Sequence, residues 1–132
     1  MKHVAHVTRV FSAAHAIVIA GEREPVHGHD WRVVVSVGAD ALDRDGLVCD
    51  FHALEAMLDA VLEPMRNRSL NEVPPFDRVN PTAERVAEHI GDRMLAGAGE
   101  AWGGRVRVLA ARVTEAPGCE AEYRPGRVEV ER

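Results

Sequence analysis

The feature that most constrains the fold is the apolar run at residues 33–37, Val-Val-Val-Ser-Val, which closely follows the segment His27-Gly28-His29. A run of β-branched residues favours a strand. Residues i and i+2 of a strand face the same side, so the imidazoles of His27 and His29 would converge with only Gly28 between them. The sequence therefore predicts a strand over about residues 29–39 that starts at a histidine pair.

A third histidine, His15, follows the segment Phe11-Ser-Ala-Ala and would reach this pair from the end of a neighbouring strand. Three neutral nitrogen donors suit Zn²⁺ and leave a fourth coordination position for substrate or water. We therefore expect His15, His27 and His29 to form a catalytic zinc site. The other histidines lack this spacing and are expected to be surface or packing residues: His3, His6, His52 and His89.

Length and composition narrow the class of protein. The 132 residues predict one domain, residues 1–132. A net charge of −5 without a basic stripe argues against a nucleic-acid partner. The chain has no long uncharged apolar stretch for a membrane span and no apolar core of a signal peptide near its start. We therefore expect no membrane partner. The two cysteines form no Cys-x-x-Cys pair and suggest no disulfide framework, so we expect a reducing, cytoplasmic compartment.

The first half of the chain shows one further strand and one helix. Alternating residues predict a first strand over about residues 2–12. Asp50 is the expected N-cap of a helix that Pro64 limits near its end. Residues 47–49 are a candidate extension of a sheet edge. The apolar face of this helix has helical spacing: Phe51, Leu54, Leu58, Val61 and Met65.

The second half begins with a predicted loop over residues 66–79, which has two consecutive prolines and no period. Asn80-Pro81 then supplies the expected N-cap and first residue of a second helix, which Gly97 and Gly99 are expected to stop. Its apolar face comprises Ala83, Val86, Ala87, Ile90 and Met94. Alternation predicts strands at 105–108 and 112–114, followed by a short return strand at 119–123.

The resulting order is ββααββ. Two helices between antiparallel strands can cover only one face of the sheet, so the prediction is an α+β fold with a four-stranded antiparallel sheet and both helices on one face. Such a sheet has open edges, which favour pairing between subunits.

Six segments follow one another along the chain in a recognisable order: Phe11-Ser-Ala-Ala-His15, His27-Gly-His29, Gly46-Leu-Val-Cys-Asp-Phe51, Leu70-Asn71, Asn80-Pro-Thr-Ala-Glu84 and Glu115-Ala-Pro-Gly118 with Tyr123. Taken together and in order, they resemble the 6-pyruvoyltetrahydropterin synthase and 6-carboxytetrahydropterin synthase family. The resemblance implies the tunnelling fold, in which trimers close twelve strands into a barrel and two trimers stack as a homo-hexamer. It also implies a pterin substrate, 7,8-dihydroneopterin triphosphate, bound between subunits.

The resemblance also assigns roles at matching positions. It places His15, His27 and His29 at the zinc ligands, Glu115 at the carboxylate that anchors the pterin ring, and Thr82 near the pterin pocket. The anchor is chemically sound on its own terms, because a 2-amino group and N3–H present two donors to one carboxylate.

Two departures from the family pattern concern proton transfer. The usual catalytic cysteine before His-Gly-His is missing, and Arg66 and Asn67 stand where an Asp-His pair normally precedes Leu-Asn. Glu24 lies three residues before His27, and the resemblance extends to a branch in which a glutamate there replaces the cysteine and the product is 6-hydroxymethyl-7,8-dihydropterin. A carboxylate beside zinc can accept a proton from a substrate hydroxyl, which makes Glu24 the candidate catalytic base. Arg66 and Arg68 are candidates for contact with the phosphates.

Three functions remain open at this point. The first is a zinc-dependent lyase that acts on the side chain of 7,8-dihydroneopterin triphosphate or a related dihydropterin. The second is a non-catalytic zinc-containing protein that binds a pterin or purine and has lost the proton-transfer residues. The third is a related lyase with another substrate.

Overall fold

The computed structural model describes residues 1–126; residues 127–132, the end of the predicted domain, lie outside the described residues. The longest elements are two strands and two helices. In chain order the elements are β1 (His3–His15), β2 (Val18–Ile19), β3 (Glu22–Arg23), β4 (His27–Ala39), α1 (Phe51–Leu62), β5 (Arg68–Ser69), α2 (Ala83–Trp102), β6 (Arg107–Ala116) and β7 (Cys119–Tyr123), with short 3-10 turns at Leu70–Glu72 and Gly103–Arg105.

The main sheet has the strand order β5-β1-β4-β6-β7. Its four longer strands pair antiparallel, which confirms the predicted α+β fold class. The sheet differs in one detail, since β5 adds a fifth strand that pairs parallel to the end of β1. A separate two-stranded hairpin, β2-β3, joins β1 to β4. The prediction of a loop over residues 66–79 was therefore wrong in part, because two-residue strands and single turns are too short to show a period.

Both helices pack on one face of the sheet. The side chains of Val33, Val35 and Val37 alternate into this layer and are fully buried. They pack in one core with the inward faces of the helices, Leu54, Leu58 and Leu62 from α1 and Val86, Ala87, Ile90 and Met94 from α2. The opposite face of the sheet is open, and β1 leaves Val4 and Val10 about half exposed there, at 45% and 52%.

The helix boundaries correct two predictions. Asp50 caps α1 as expected, since its carboxylate accepts a hydrogen bond from the backbone N–H of His52. The cap of α2 is Thr82, whose hydroxyl oxygen accepts from the N–H of Arg85 at 3.1 Å, and not Asn80. Helix α2 also continues past Gly97 and Gly99 to Trp102. A helical glycine costs only about 1 kcal/mol, less than the burial of the apolar face of α2 contributes.

The strand predictions need three further corrections. β1 continues beyond residue 12 to His15, and residues 47–49 form no strand. The two pieces predicted at 105–108 and 112–114 are one strand, β6. A register shift opposite Ser36 and Val37 inserts one extra residue into β6, so the alternation changes phase in its middle.

The longest helix, α2, contains charged residues along its length. Within residues 1–126, no helix has the length and apolar character needed to cross a membrane.

Candidate metal centre

The pairing of β1 with β4 brings the three predicted histidines together. His15 lies directly opposite His27, and Ala13 lies opposite His29, so all three imidazoles project from the helix-covered face at one end of the sheet. The ring centroids lie 4.6 to 5.3 Å apart. The histidines outside this cluster lie elsewhere in the fold: His3, His6, His52 and His89.

Glu115 completes the cluster from β6. It lies at a second register shift, where Thr114 pairs with Glu120 and Ala116 pairs with Cys119, so Glu115 itself has no partner on β7. Bulges of this kind re-aim side chains next to functional sites. Its Oε1 atom lies 2.8 Å from Nε2 of His15, 3.2 Å from Nε2 of His29 and 3.8 Å from Nε2 of His27.

Backbone carbonyls fix the tautomers of two histidines. Nδ1 of His15 lies 2.8 Å from the carbonyl oxygen of Pro81, and Nδ1 of His27 lies 3.0 Å from that of Pro25. A carbonyl oxygen can only accept, so each Nδ1 must carry the hydrogen. Each Nε2 atom therefore presents a lone pair to the centre of the cluster, which is the arrangement that backbone partners impose on metal-binding histidines.

Two of the three Nε2 atoms are buried without a hydrogen-bond partner in the described chain. They are Nε2 of His15 and Nε2 of His29. The approach of Oε1 of Glu115 to Nε2 of His15 is thus a contact between two acceptors, which is unfavourable without a cation between them. Proximity without hydrogen-bond alignment is what a metal-ligand set shows when its ion is removed.

The donor spacing is compatible with zinc. All four donor atoms, the three Nε2 atoms and one oxygen of Glu115, lie within 4.8 Å of one another. A tetrahedral site with bonds of about 2.0–2.1 Å spaces its ligand atoms by roughly 3.3 Å. The distances from Glu115 Oε1 scatter around that value, so the residues present could hold Zn²⁺.

The surroundings of the cluster favour the neutral form of His29. Burial lowers the pKa of His29, the charges of His27 and His15 act in the same direction, and the carboxylate of Glu115 opposes them. A neutral imidazole is the form that binds a metal. Trp31 packs edge-on against His15 and His29 and donates its indole N–H to the carbonyl of Ala13, so the floor of the cluster is aromatic.

Two asparagines that the sequence did not assign to the site fix the backbone that follows His15. The side-chain amide of Asn71 binds both the N–H and the C=O of Ala16, at 2.8 Å each, directly after His15. Asn80 clamps Val18 in the same way, at 2.9 Å each. An asparagine that pairs with both backbone groups of one residue replaces a strand neighbour, and sequence spacing gives no signal for it.

The fold and the cluster can be compared with known proteins. Residues 5–126 match the protein family described as 6-pyruvoyl tetrahydropterin synthase. This chain belongs to that family. A relative from Pyrococcus furiosus, "Dihydroneopterin monophosphate aldolase", is 36% identical over 84 residues, which are 64% of this chain and 68% of the relative. A second, "Putative 6-carboxy-5,6,7,8-tetrahydropterin synthase" from Pyrococcus abyssi, is 29% identical over 139 aligned residues, covering 87% of this chain and 85% of the relative.

The solved structures agree on the fold. The 6-pyruvoyl tetrahydropterin synthase of Caenorhabditis elegans superposes with a TM-score of 0.76 at 20% identity, covering 94% of this chain and 97% of that one. The family match over residues 5–126 makes the chain a member of a family of pterin-processing lyases, and the predicted resemblance is confirmed.

Within this synthase fold, Glu24 lies behind the metal cluster. Its Oε1 atom accepts a hydrogen bond from the N–H of Ile17 at 3.1 Å and lies 3.6 Å from Nδ1 of His27, across the ring from the cluster atom Nε2. Its side chain is 30% exposed, so solvent can still reach the carboxylate. The structure thus brings Glu24 next to a candidate ligand but does not place it among the donor atoms.

The residues that replace the usual Asp-His pair lie on the other side of β1. The side chain of Arg66 donates to the carbonyl of Val10 at 3.3 Å. Asn67 adopts a left-handed conformation, with φ +59°, and its N–H binds the carbonyl of Ser12. Asn67 and Arg68 line an open cleft of about 690 Å³ whose wall also includes His29. The cleft is large enough for a small ligand.

Proposed function

We propose that this protein is a zinc-dependent lyase that cleaves the side chain of 7,8-dihydroneopterin triphosphate or a related phosphorylated dihydropterin, with 6-hydroxymethyl-7,8-dihydropterin as the pterin product. The observation that carries the proposal is the cluster of three histidine Nε2 atoms around one carboxylate oxygen. The relative from Pyrococcus furiosus is named as an aldolase of dihydroneopterin monophosphate, which supports cleavage of a carbon–carbon bond.

His15, His27 and His29 are the proposed zinc ligands. Zinc, when bound, supplies Lewis acidity that lowers the pKa of a coordinated side-chain hydroxyl. The histidines contribute by being held in place: His15 is fully buried and its Nδ1 is bonded to the carbonyl of Pro81, and Nδ1 of His27 is bonded to the carbonyl of Pro25. A metal held by such fixed ligands would keep the substrate hydroxyls in one orientation, which lowers the entropic part of the barrier.

Glu115 and Thr82 are the proposed ring-binding residues. A carboxylate binds the 2-amino group and N3–H of a pterin with two charge-assisted hydrogen bonds. Glu115 is 24% exposed, so a ring can reach it. The hydroxyl oxygen of Thr82 already accepts a bond as the cap of α2, which leaves its hydrogen free to donate to a ring acceptor.

Glu24 is the proposed base. It takes the proton from the hydroxyl on the second side-chain carbon, that oxygen becomes a carbonyl, and the bond between the first and second side-chain carbons breaks. The electron pair passes to the first carbon, which is conjugated with the ring and takes up one proton. The products are 6-hydroxymethyl-7,8-dihydropterin and a two-carbon aldehyde that carries the phosphates.

One observation favours a second candidate, a non-catalytic pterin- or purine-binding protein. Oε1 of Glu24 is already bonded to the backbone N–H of Ile17, and the usual Asp-His pair is replaced by Arg66 and Asn67. A protein with this set could keep the metal and the ring anchor without moving protons.

A product assay separates these functions. Zinc-loaded protein is incubated with 7,8-dihydroneopterin triphosphate or monophosphate, and products are identified by mass spectrometry. We expect several turnovers that yield 6-hydroxymethyl-7,8-dihydropterin and the phosphorylated two-carbon aldehyde. Release of inorganic triphosphate would show that the protein is a lyase of the synthase type, which breaks a carbon–oxygen bond instead of a carbon–carbon bond. Stoichiometric binding without product would establish the binding protein instead.

We also propose that the chain assembles as a homo-hexamer, a dimer of trimers. The support is the uncovered sheet face with Val4 and Val10 and the open edge of β1, which β5 covers at only two residues in the described chain. Sedimentation equilibrium gives the mass directly, and a monomer at micromolar concentration would contradict the proposal.

A further inference from the structure

The carboxylate of Glu115 points one oxygen at all three candidate metal ligands. Oε1 lies 2.8, 3.2 and 3.8 Å from the three Nε2 atoms, and the position it occupies relative to them is that of a fourth vertex. The lone pairs of His15 and His27 repel a carboxylate oxygen, so an approach this close is unfavourable without a cation between them.

The electrostatic surroundings point the same way. Within residues 1–126, no lysine or arginine lies within 4.0 Å of Glu115, and its charged-pair partners are only the three imidazoles. The Nδ1 atoms of His15 and His27 already donate to backbone carbonyls, so in this tautomer their Nε2 atoms offer the carboxylate no hydrogen. The negative charge therefore calls for a metal ion or for a ligand that carries a guanidine-like edge.

The carboxylate of Glu115 cannot bind the metal ion and make both hydrogen bonds to a pterin ring edge at the same time. A two-point bond to a 2-amino group and N3–H uses both carboxylate oxygens, whereas the observed arrangement commits Oε1 to the histidine cluster. Binding of a ring edge must therefore compete with binding of the metal by the same carboxylate.

We infer that Glu115 is a fourth metal ligand when no pterin is bound, and that the pterin ring opens the metal by taking this carboxylate away. The inference rests on the proposed zinc lyase function and adds a condition to it. The open coordination position that catalysis needs is created by the ring, and a molecule with hydroxyls but without the ring edge cannot create it. Ring recognition and access to the metal are thereby coupled.

Cobalt makes the coupling visible, because the visible absorption of Co²⁺ reports its ligands. The full-length protein is loaded with Co²⁺ in place of zinc and titrated with azide, with and without 6-methyl-7,8-dihydropterin, which has the ring edge but no side-chain hydroxyl. We expect the pterin alone to change the cobalt spectrum. We also expect azide to bind at least about 10-fold more tightly with the pterin present, in line with usual coupling free energies.

Glu115→Ala and Glu120→Ala serve as matched variants. In Glu115→Ala, azide should bind tightly without any pterin, while three histidines still hold one metal ion per chain. Glu120 lies on β7 with its side chain 57% exposed, so Glu120→Ala should behave as the unsubstituted protein. Equal azide affinity in the unsubstituted protein and in Glu115→Ala, without pterin, would overturn the inference.

The two proposals fail in different ways. If the cobalt spectra show that pterin promotes azide binding but the product assay shows no turnover, the role of Glu115 is supported and the lyase function is excluded. If products form while azide binds the unsubstituted cobalt protein freely without pterin, the lyase stands and the inference falls.

Discussion

Replacement of His29 by alanine is expected to abolish stoichiometric zinc binding and turnover together. His29 supplies a buried Nε2 atom with no hydrogen-bond partner in residues 1–126, so the loss removes one of the proposed ligands without breaking another bond of that atom. Even residues behind metal ligands change affinity by about 10- to 100-fold when mutated, so loss of a ligand should weaken zinc by more than about 100-fold. Zinc content after dialysis and competition with a chelator measure this directly.

Thermal unfolding provides the second readout and its control. Zinc that binds only the folded protein should raise the melting temperature of the unsubstituted chain, and this rise should vanish in His29→Ala. The matched control is His52→Ala, because the His52 side chain is 93% exposed on α1 and outside the cluster. A His29→Ala protein that keeps one tightly bound zinc ion per chain would show that the cluster is not the metal site.

Replacement of Glu24 by glutamine is expected to lower turnover by about 10²- to 10⁴-fold, the usual contribution of a general base, with zinc still bound. The amide oxygen of glutamine can accept the N–H of Ile17 as the carboxylate does, so the local structure should persist. What the amide cannot do is take up a proton. Steady-state product formation and zinc content, measured on the same samples, check both halves of the expectation.

Glu22→Gln is the matched control for Glu24, because Glu22 is an exposed glutamate on the neighbouring strand β3 and should leave turnover unchanged. Unchanged turnover in Glu24→Gln would remove Glu24 from the mechanism. If Glu24→Gln loses its zinc, the loss of turnover follows from the missing metal. Glu24 would then be a positioning residue that acts through His27, whose Nδ1 lies 3.6 Å away.

The convergence of the three histidines was predictable because it depends on local periodicity. His27 and His29 share a face on any strand, and the antiparallel return of the chain from β1 to β4 is short enough to set His15 opposite His27. The same periodicity predicted the buried valines of β4 and the inward face of α2. On α1 it was right for Leu54 and Leu58 but wrong for Phe51, which is 50% exposed, and it missed the buried Leu62.

Other parts of the site depend on contacts between distant residues, which periodicity does not report. The close approach of Glu115 to the histidines requires a bulge between β6 and β7, and the choice of Thr82 over Asn80 as the helix cap follows from the bonds of Asn80 to Val18. Asn80 has the right chemistry for a cap, but a second partner outside the helix takes its amide. Such competition is decided by the tertiary structure.

The bond from His15 to the carbonyl of Pro81 also bears on when the metal site can exist. The three histidines of the cluster lie within the first 29 residues, far from Pro81 and Glu115 along the chain. Until the segment ahead of α2 has docked, no backbone carbonyl from that segment fixes which nitrogen of His15 carries its hydrogen. The complete donor set therefore requires residues from both ends of the chain, and bound metal would report that these ends have come together.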